Sequence, residues 1–294
     1  MCAACKISIH THPFHLRGQM PRSSRGASSS AVNATAPCSS FAGDATKAPT
    51  KLVLFAARRT GSSWLADILR KHPQVLMHGE IFHIQLERAD DPEDGFQGGV
   101  IPRDDVLLGR RRKPLDLLRF VECHRVGRRF VGFKFFRDHL RPTSWHHVMD
   151  WCDICVILRR EDVRAQYASL LRARATGEWK GRSASRTTAA VANVSTQDCG
   201  GTDCFHAWQQ NQAGWYKALD SHLDRAARLS PSKKVVRITY EHHLANRARR
   251  PELAHLWHAL GVDEPAASNH AGRRGRARAT GRLSLAAGSE VVVS

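Results

Sequence analysis

KLVLFAARRTGSSWL, Lys51 to Leu65, is the stretch whose reading decides the fold. Lys51 to Ala57 is an apolar run of strand length. From Ser62 a different period takes over. In SSWLADILRK, residues Trp64, Leu65, Ile68 and Leu69 share one helical face, which predicts a helix over Ser62–Lys71. It stops near His72-Pro73, because the residue before a proline avoids helical backbone. Between strand and helix lie Arg58, Arg59, Thr60 and Gly61. A glycine permits a tight turn and close approach of a ligand. The first amides of a helix have no internal partner, and the helix dipole adds partial positive charge there. With two arginines added, the junction reads as an anion site, most naturally a phosphate site.

Outward from this junction the pattern alternates. QVLMHGEIFH, residues 74–83, is a short extended piece, and residues 84–113 read as an irregular excursion ending in the basic run GRRRK. Leu115–Cys123 predicts a helix, RFVGFKFF (Arg129–Phe136) a strand and residues 142–151 a short helix. DICVILRR (Asp153–Arg160) is a second buried strand, followed by a helix over Glu161–Ala175. A Ser/Thr/Gly/Ala-rich loop over 180–200 precedes a long helix, Asp203–Leu229. KKVVRITY (Lys233–Tyr240) is the last strand and Glu252–Leu260 the last helix. Strands separated by helices imply an α/β fold of three layers around a central, mostly parallel sheet.

The chain of 294 residues carries a formal charge of +18, which suits anionic partners. That charge is uneven: no acid precedes Asp44, and after Glu264 the only acid is Glu290. Three regions follow: an extension over 1–50, an α/β domain over 51–265 and a basic, disordered tail over 266–294. The extension is rich in Ser and Ala and reads equally as an organellar transit peptide or as a disordered segment. No stretch approaches the ~18 apolar residues of a membrane span. A soluble protein is expected, cytoplasmic unless the extension directs it to an organelle.

CAAC (Cys2, Cys5) and CDIC (Cys152, Cys155) are two CxxC pairs, where a zinc site needs four ligands. In the second pair, i and i+3 point to opposite faces of a strand, so buried free thiols are expected there rather than a metal site. Cys199 and Cys204 could close a small disulfide loop in an oxidising compartment.

The sequence contains no GxxxxGK[ST], so the first loop is not an ordinary ATP or GTP P-loop. A second junction has similar character: a strand ends in Arg159-Arg160, and the following helix carries Ser169. Arginine and serine again suit an anionic oxygen. In an open parallel sheet both strand ends face one crevice. Two separate grips suggest a nucleotide with two separated phosphates.

These stretches resemble the sulfotransferases that use 3′-phosphoadenosine 5′-phosphosulfate (PAPS), most nearly the trehalose sulfotransferase-like and carbohydrate sulfotransferases. The likeness spans roughly residues 52–262. It rests on the RRTGSS loop, the segment HGEIF with Glu80, the Gly132-Phe133-Lys134 strand, the Asp162, Gln166, Ser169 helix and the late Tyr240-Glu241. It implies a P-loop-like fold and transfer of a sulfuryl group from PAPS to a hydroxyl of a carbohydrate or glycoconjugate, without metal. By the same resemblance Arg58, Arg59, Thr60, Gly61, Ser62, Ser63 and Trp64 would hold the 5′-phosphosulfate. Ser169 with Arg159 or Arg160 would hold the 3′-phosphate, Arg59 would stabilise the leaving oxygen, and Glu80 would act as base beside Lys134.

Each residue has a plainer reading. Ser62 and Ser63 could be N-caps, and Lys134 could blunt an edge strand. His78 and His83 flank Glu80 and compete for its role. Trp179, Trp208 and Trp215 read as core rather than sugar platforms. The basic ends of 84–113 and 176–202, with Arg110, Arg111, Arg112 and Lys113 in the first, suggest an acidic acceptor. A basic nucleic-acid-binding or nucleotide-binding protein without transferase activity is the alternative. Charge runs are usually solvated faces, so specific nucleic-acid binding is not expected.

Overall fold

Five strands make one sheet in the order β2-β3-β1-β4-β5, with every pairing parallel. This is a computed structural model that describes residues 48–83, 95–98, 101–124, 127–177, 179, 202–245 and 253–264. The readings of the extension, of the 180–200 loop, of CAAC, of Cys199 and of the tail lie outside those residues. The strands are β1 (Thr50–Ala56), β2 (Val75–Met77), β3 (Phe130–Phe135), β4 (Ile154–Arg159) and β5 (Lys234–Thr239). The helices are α1 (Ser62–Arg70), α2 (Asp104–Gly109), α3 (Pro114–Cys123), α4 (Trp145–Trp151), α5 (Val163–Thr176), α6 (Thr202–Leu229) and α7 (Ala254–Leu260).

Strand alternation sorts the core into two layers. On one face Val53, Phe55, Phe133, Phe135 and Ile157 meet Leu117 and Val121 of α3, Val148 of α4, and Trp215, Leu219 and Leu223 of α6. On the other, Leu52, Leu54, Val156, Leu158 and Ile238 meet Leu65 and Leu69 of α1 and Leu256, Trp257 and Leu260 of α7. The result is the expected three-layer α/β fold. β1 and β4 read as continuous apolar runs because helices cover both their faces. Burial of each large apolar side chain contributes about 1.5–3 kcal/mol, which outweighs the modest strand preference of any single residue.

Three expectations need correction. The excursion over 84–113 contains α2, whose Asp104 and Asp105 sit in its first turn, where the dipole favours acids. Only Val106 and Leu107 of α2 are buried, too little for a visible period. Beyond β5 the chain enters a π-helix over Tyr240–Leu244. Cys152 and Cys155 are joined as a disulfide with a Cα–Cα distance of 6.0 Å, so they are not free thiols. The opposite-face argument failed because Cys152 precedes β4 rather than lying in it.

Candidate active site

Most of the residues singled out from the sequence gather at the carboxyl ends of β1, β2, β3 and β4. After β1 the chain turns through Arg58–Gly61 with two positive-φ residues, Arg59 at 67° and Gly61 at 88°. For arginine this is strained backbone, of a kind that persists where surrounding bonds over-determine it. Those bonds are present. The Arg58 carbonyl accepts from Gln166 Nε2 at 2.8 Å, and the Arg59 carbonyl accepts from Arg160 Nη1 at 3.3 Å. Thr60 Oγ1 donates back to the Ala57 carbonyl at 2.8 Å. The Tyr216 hydroxyl accepts from Ala57 N and donates to the Leu158 carbonyl, tying the end of β1 to that of β4.

Gly61 opens α1, and no side chain caps the helix. The N-cap reading of Ser62 and Ser63 therefore fails, and the N-cap residue supplies no side chain to the first amides of α1. Ser63 Oγ instead accepts from Lys134 Nζ at 3.2 Å. Trp64 is half-buried against the α1 side of the core.

Arg59 is the hub. Its Nε donates to Ser169 Oγ at 2.9 Å, and its Nη1 donates to the Trp179 carbonyl. Burial lowers its pKa, and the neighbouring cations Arg160 and Arg172 lower it further. Cations crowded in this way attract an anion. Arg172 was not singled out from the sequence. It lies one helical turn past Ser169, a spacing that places both on one face of α5.

The two arginines ending β4 separate cleanly. Arg159 turns toward α6, where it pairs with Asp220 and lies 4.8 Å from the Tyr216 ring. Arg160 turns toward the loop. Its guanidinium lies 4.8 Å from the Tyr240 ring and its Nε lies 3.5 Å from Glu241. Glu241 also accepts from the amides of Glu161 and Asp162 at the start of α5, and Asp162 caps that helix through Ala165 N. Loop, strand end and α5 thus bring Arg59, Arg160 and Ser169 together and leave Arg159 outside.

Glu80 lies under the loop, 9% exposed. Lys134 Nζ is 3.6 Å from its Oε1, and His139 Nε2 is 3.4 Å from its Oε2. Burial would raise the carboxyl, but His139, Lys134 and Arg58 outweigh it and hold Glu80 below the ordinary carboxylate range. Oε2 has no hydrogen-bond partner of ordinary length, since 3.4 Å is a long contact. A buried carboxylate oxygen in that state can accept a proton from an incoming hydroxyl. Lys134 is fully buried in an internal strand, so the edge-strand reading is excluded.

The ion pairs of Glu80 are with Lys134 and His139, while the His83 amide donates to the Glu80 carbonyl at 2.8 Å. His78 is enclosed and accepts from Gln97 N at 2.9 Å through Nδ1. The His83 carbonyl accepts from the Arg110 guanidinium, which is itself buried and also reaches the Leu107 carbonyl. Arg110 therefore clamps backbone and is unavailable to an acidic acceptor.

His139 was missed, as was Asp138, which pairs with Arg58 at 2.8 Å. Both sit in the turn after β3. The available signal was their position just past the carboxyl end of a buried strand, where α/β ligand sites form. Arg58 also lies 5.6 Å from the Phe136 ring and 5.5 Å from the Trp179 ring. Trp179 therefore borders the site, whereas Trp215 is core, and Trp208 packs 5.0 Å from Tyr167.

Among the described residues no cluster of three or more His, Cys, Asp or Glu is arranged to hold a metal, and no helix is long and apolar enough to cross a membrane. No family model matches the sequence. The chain is similar to Nodulation protein H of Rhizobium tropici, at 26% identity over 193 residues, covering 66% of this chain and 69% of that protein.

Proposed function

We propose that the chain is a sulfotransferase that moves a sulfuryl group from PAPS to a hydroxyl of a carbohydrate or glycoconjugate. The observation that carries this reading is the convergence of two cationic grips, Arg59 with the first α1 amides and Arg160 with Ser169, beside a buried carboxylate. The similarity to Nodulation protein H, a sulfotransferase, supports the same class of transfer.

In this reading the amides of residues 60–64, with Ser62 and Ser63, receive the 5′-phosphosulfate, and Arg58 borders it. Arg160 and Ser169 receive the 3′-phosphate. The acceptor hydroxyl oxygen attacks sulfur, and its proton passes to Glu80. The bond from sulfur to the bridging phosphate oxygen breaks, and that oxygen leaves with the electron pair on the nucleotide. Arg59 stabilises the developing charge. Arginine stays protonated, so it serves as an electrostatic clamp and not as a proton donor.

Glu80 as found is a weak base, because its cationic neighbours hold it ionised. Lys134 resolves this. It contacts Ser63 at the loop as well as Glu80, so donor oxygens at the loop compete for its charge. Once that charge is shared, the carboxyl becomes more basic.

The test is transfer of labelled sulfate from PAPS to a panel of neutral and acidic sugars. Glu80→Gln should lower turnover ~10²–10⁴-fold, the usual contribution of a positioned base. Arg59→Ala should lower kcat ~10²–10³-fold, as loss of one oxyanion donor does elsewhere. Full turnover in Arg59→Ala would remove it from the mechanism, and wild-type protein without transfer to any sugar would end the reading.

A further inference from the structure

His139 has no step in the proposed transfer, yet its imidazole lies 3.4 Å from Glu80. It is 2% exposed and lies in the turn that follows β3. Its amide donates to the Phe136 carbonyl at 3.1 Å, closing the turn. The Phe136 amide in return lies 3.2 Å from His139 Nδ1 and donates to it. That bond fixes the ring. A nitrogen accepting from a backbone N–H carries no proton itself, so the neutral imidazole bears its hydrogen on Nε2. Nε2 lies 3.4 Å from Glu80 Oε2; the two atoms share no bond of ordinary geometry, and neither has another hydrogen-bond partner. Phe135, Phe136 and His83 pack around the ring, with centroids 5.7, 5.1 and 6.2 Å away, which leaves it little room to turn.

Resting on the assignment of Glu80 as base, we propose that His139 is its positioning residue, an Nε2–H donor that holds the carboxylate ionised and fixes the orientation of its two oxygens. The same turn presents Asp138 to Arg58, 2.8 Å apart. One four-residue turn, Phe136–His139, therefore sets both the base and the first arginine of the loop. Second-layer donors of this kind orient reacting groups without touching the substrate.

His139→Phe keeps the shape and removes the donor. His139→Gln keeps an amide N–H where Nε2 stands. The first readout is the ionisation of the Glu80 side chain, followed by carbon NMR on uniformly labelled full-length protein, with Glu80→Gln identifying the resonance. It does not depend on any turnover. His139 lowers the Glu80 pKa in the structure, so His139→Phe should titrate at higher pH than wild type. His139→Gln should recover most of the difference. An unchanged titration in a folded His139→Phe protein overturns the proposal, as does an equal rise in both variants. In the transfer assay, His139→Phe should lower kcat about tenfold, raise the acidic limb of the pH–rate profile and leave KM for PAPS unchanged. Loss of transfer in the wild type would defeat the sulfotransferase reading and leave the titration result standing.

Discussion

His78, two residues before Glu80, illustrates how a buried imidazole can serve stability alone. It is enclosed, accepts from Gln97 N and lies 5.5 Å from the Phe96 ring. Burial first, then Arg70 and His124, push its pKa from 6.5 down to about 3. The unfolded chain therefore binds a proton between those values that the folded chain refuses. Stability from this group is complete above about pH 6.5 and drains as pH falls toward 3. Urea midpoints should decline from pH 7 to pH 5, and His78→Asn, which keeps an acceptor near Nδ1 but does not titrate, should flatten that decline. An equally steep decline in the variant would reject the assignment. Two glycines make a second case. A Cβ on Gly132 would lie 2.2 Å from the Leu52 carbonyl oxygen, inside the β1–β3 pairing. On Gly61 it would lie 2.7 Å from Tyr240, at a φ of 88°. Overpacking of this kind costs about 1–3 kcal/mol, so Gly132→Ala and Gly61→Ala should each lower the urea midpoint. Only Gly61→Ala should also disturb nucleotide binding, because only it shifts the loop; calorimetry with 3′-phosphoadenosine 5′-phosphate checks this.

At the scale of elements, the end of β4 is where sequence reading stopped short. It placed two arginines at one strand end and could not choose between them, because successive side chains of a strand point to opposite faces and nothing local says which face holds the ligand. Where each arginine points is set by elements about 60 and 80 residues downstream. Asp220 of α6 engages Arg159, and Tyr240 and Glu241 of the π-helix engage Arg160. Arg160→Ala should therefore weaken 3′-phosphoadenosine 5′-phosphate about tenfold or more while barely altering AMP, since a charge-assisted bond is worth ~1.5–3 kcal/mol. Arg159→Ala should leave the ratio of the two affinities unchanged and act on stability. The reverse pattern in calorimetry would reassign the grip. The loop before α1 was legible because its signal is contiguous: strand, arginines, glycine, helix. Glu80 and Lys134 were legible through resemblance. His139 and Asp138 were not, because their roles depend on a turn that folds back onto residues 58–80 further along the sheet end. Cys152 misled because its element boundary fell two residues later than the CDIC run suggested.

For the whole molecule, one topological choice accounts for the site. β1 is the middle strand: the chain first fills one side of it with β2 and β3, then crosses over to β4 and β5 on the other, and this reversal opens a crevice at the carboxyl end of β1. The loop, the β3 turn, Arg160 and the π-helix all project from that end. The charge of +18 adds a general attraction for polyanions but selects none. The same arrangement sets the order in which the protein can be made. The middle strand is synthesised first and waits for both neighbours: Thr50 pairs with Phe130, 80 residues later, and Leu52 with Ile154, 102 residues later. At ribosomal speeds of ~5–20 residues per second, β1 spends about 4–16 s with neither neighbour made. During that interval its apolar run is a natural binding site for a chaperone. The platform for Arg160 arrives later still, with Tyr240. The loop before α1 is thus among the first parts of the domain to leave the ribosome and among the last to gain all its neighbours, so a nascent chain halted before β5 would display the loop's residues and Arg160 without the Tyr240 and Glu241 that pack against that arginine.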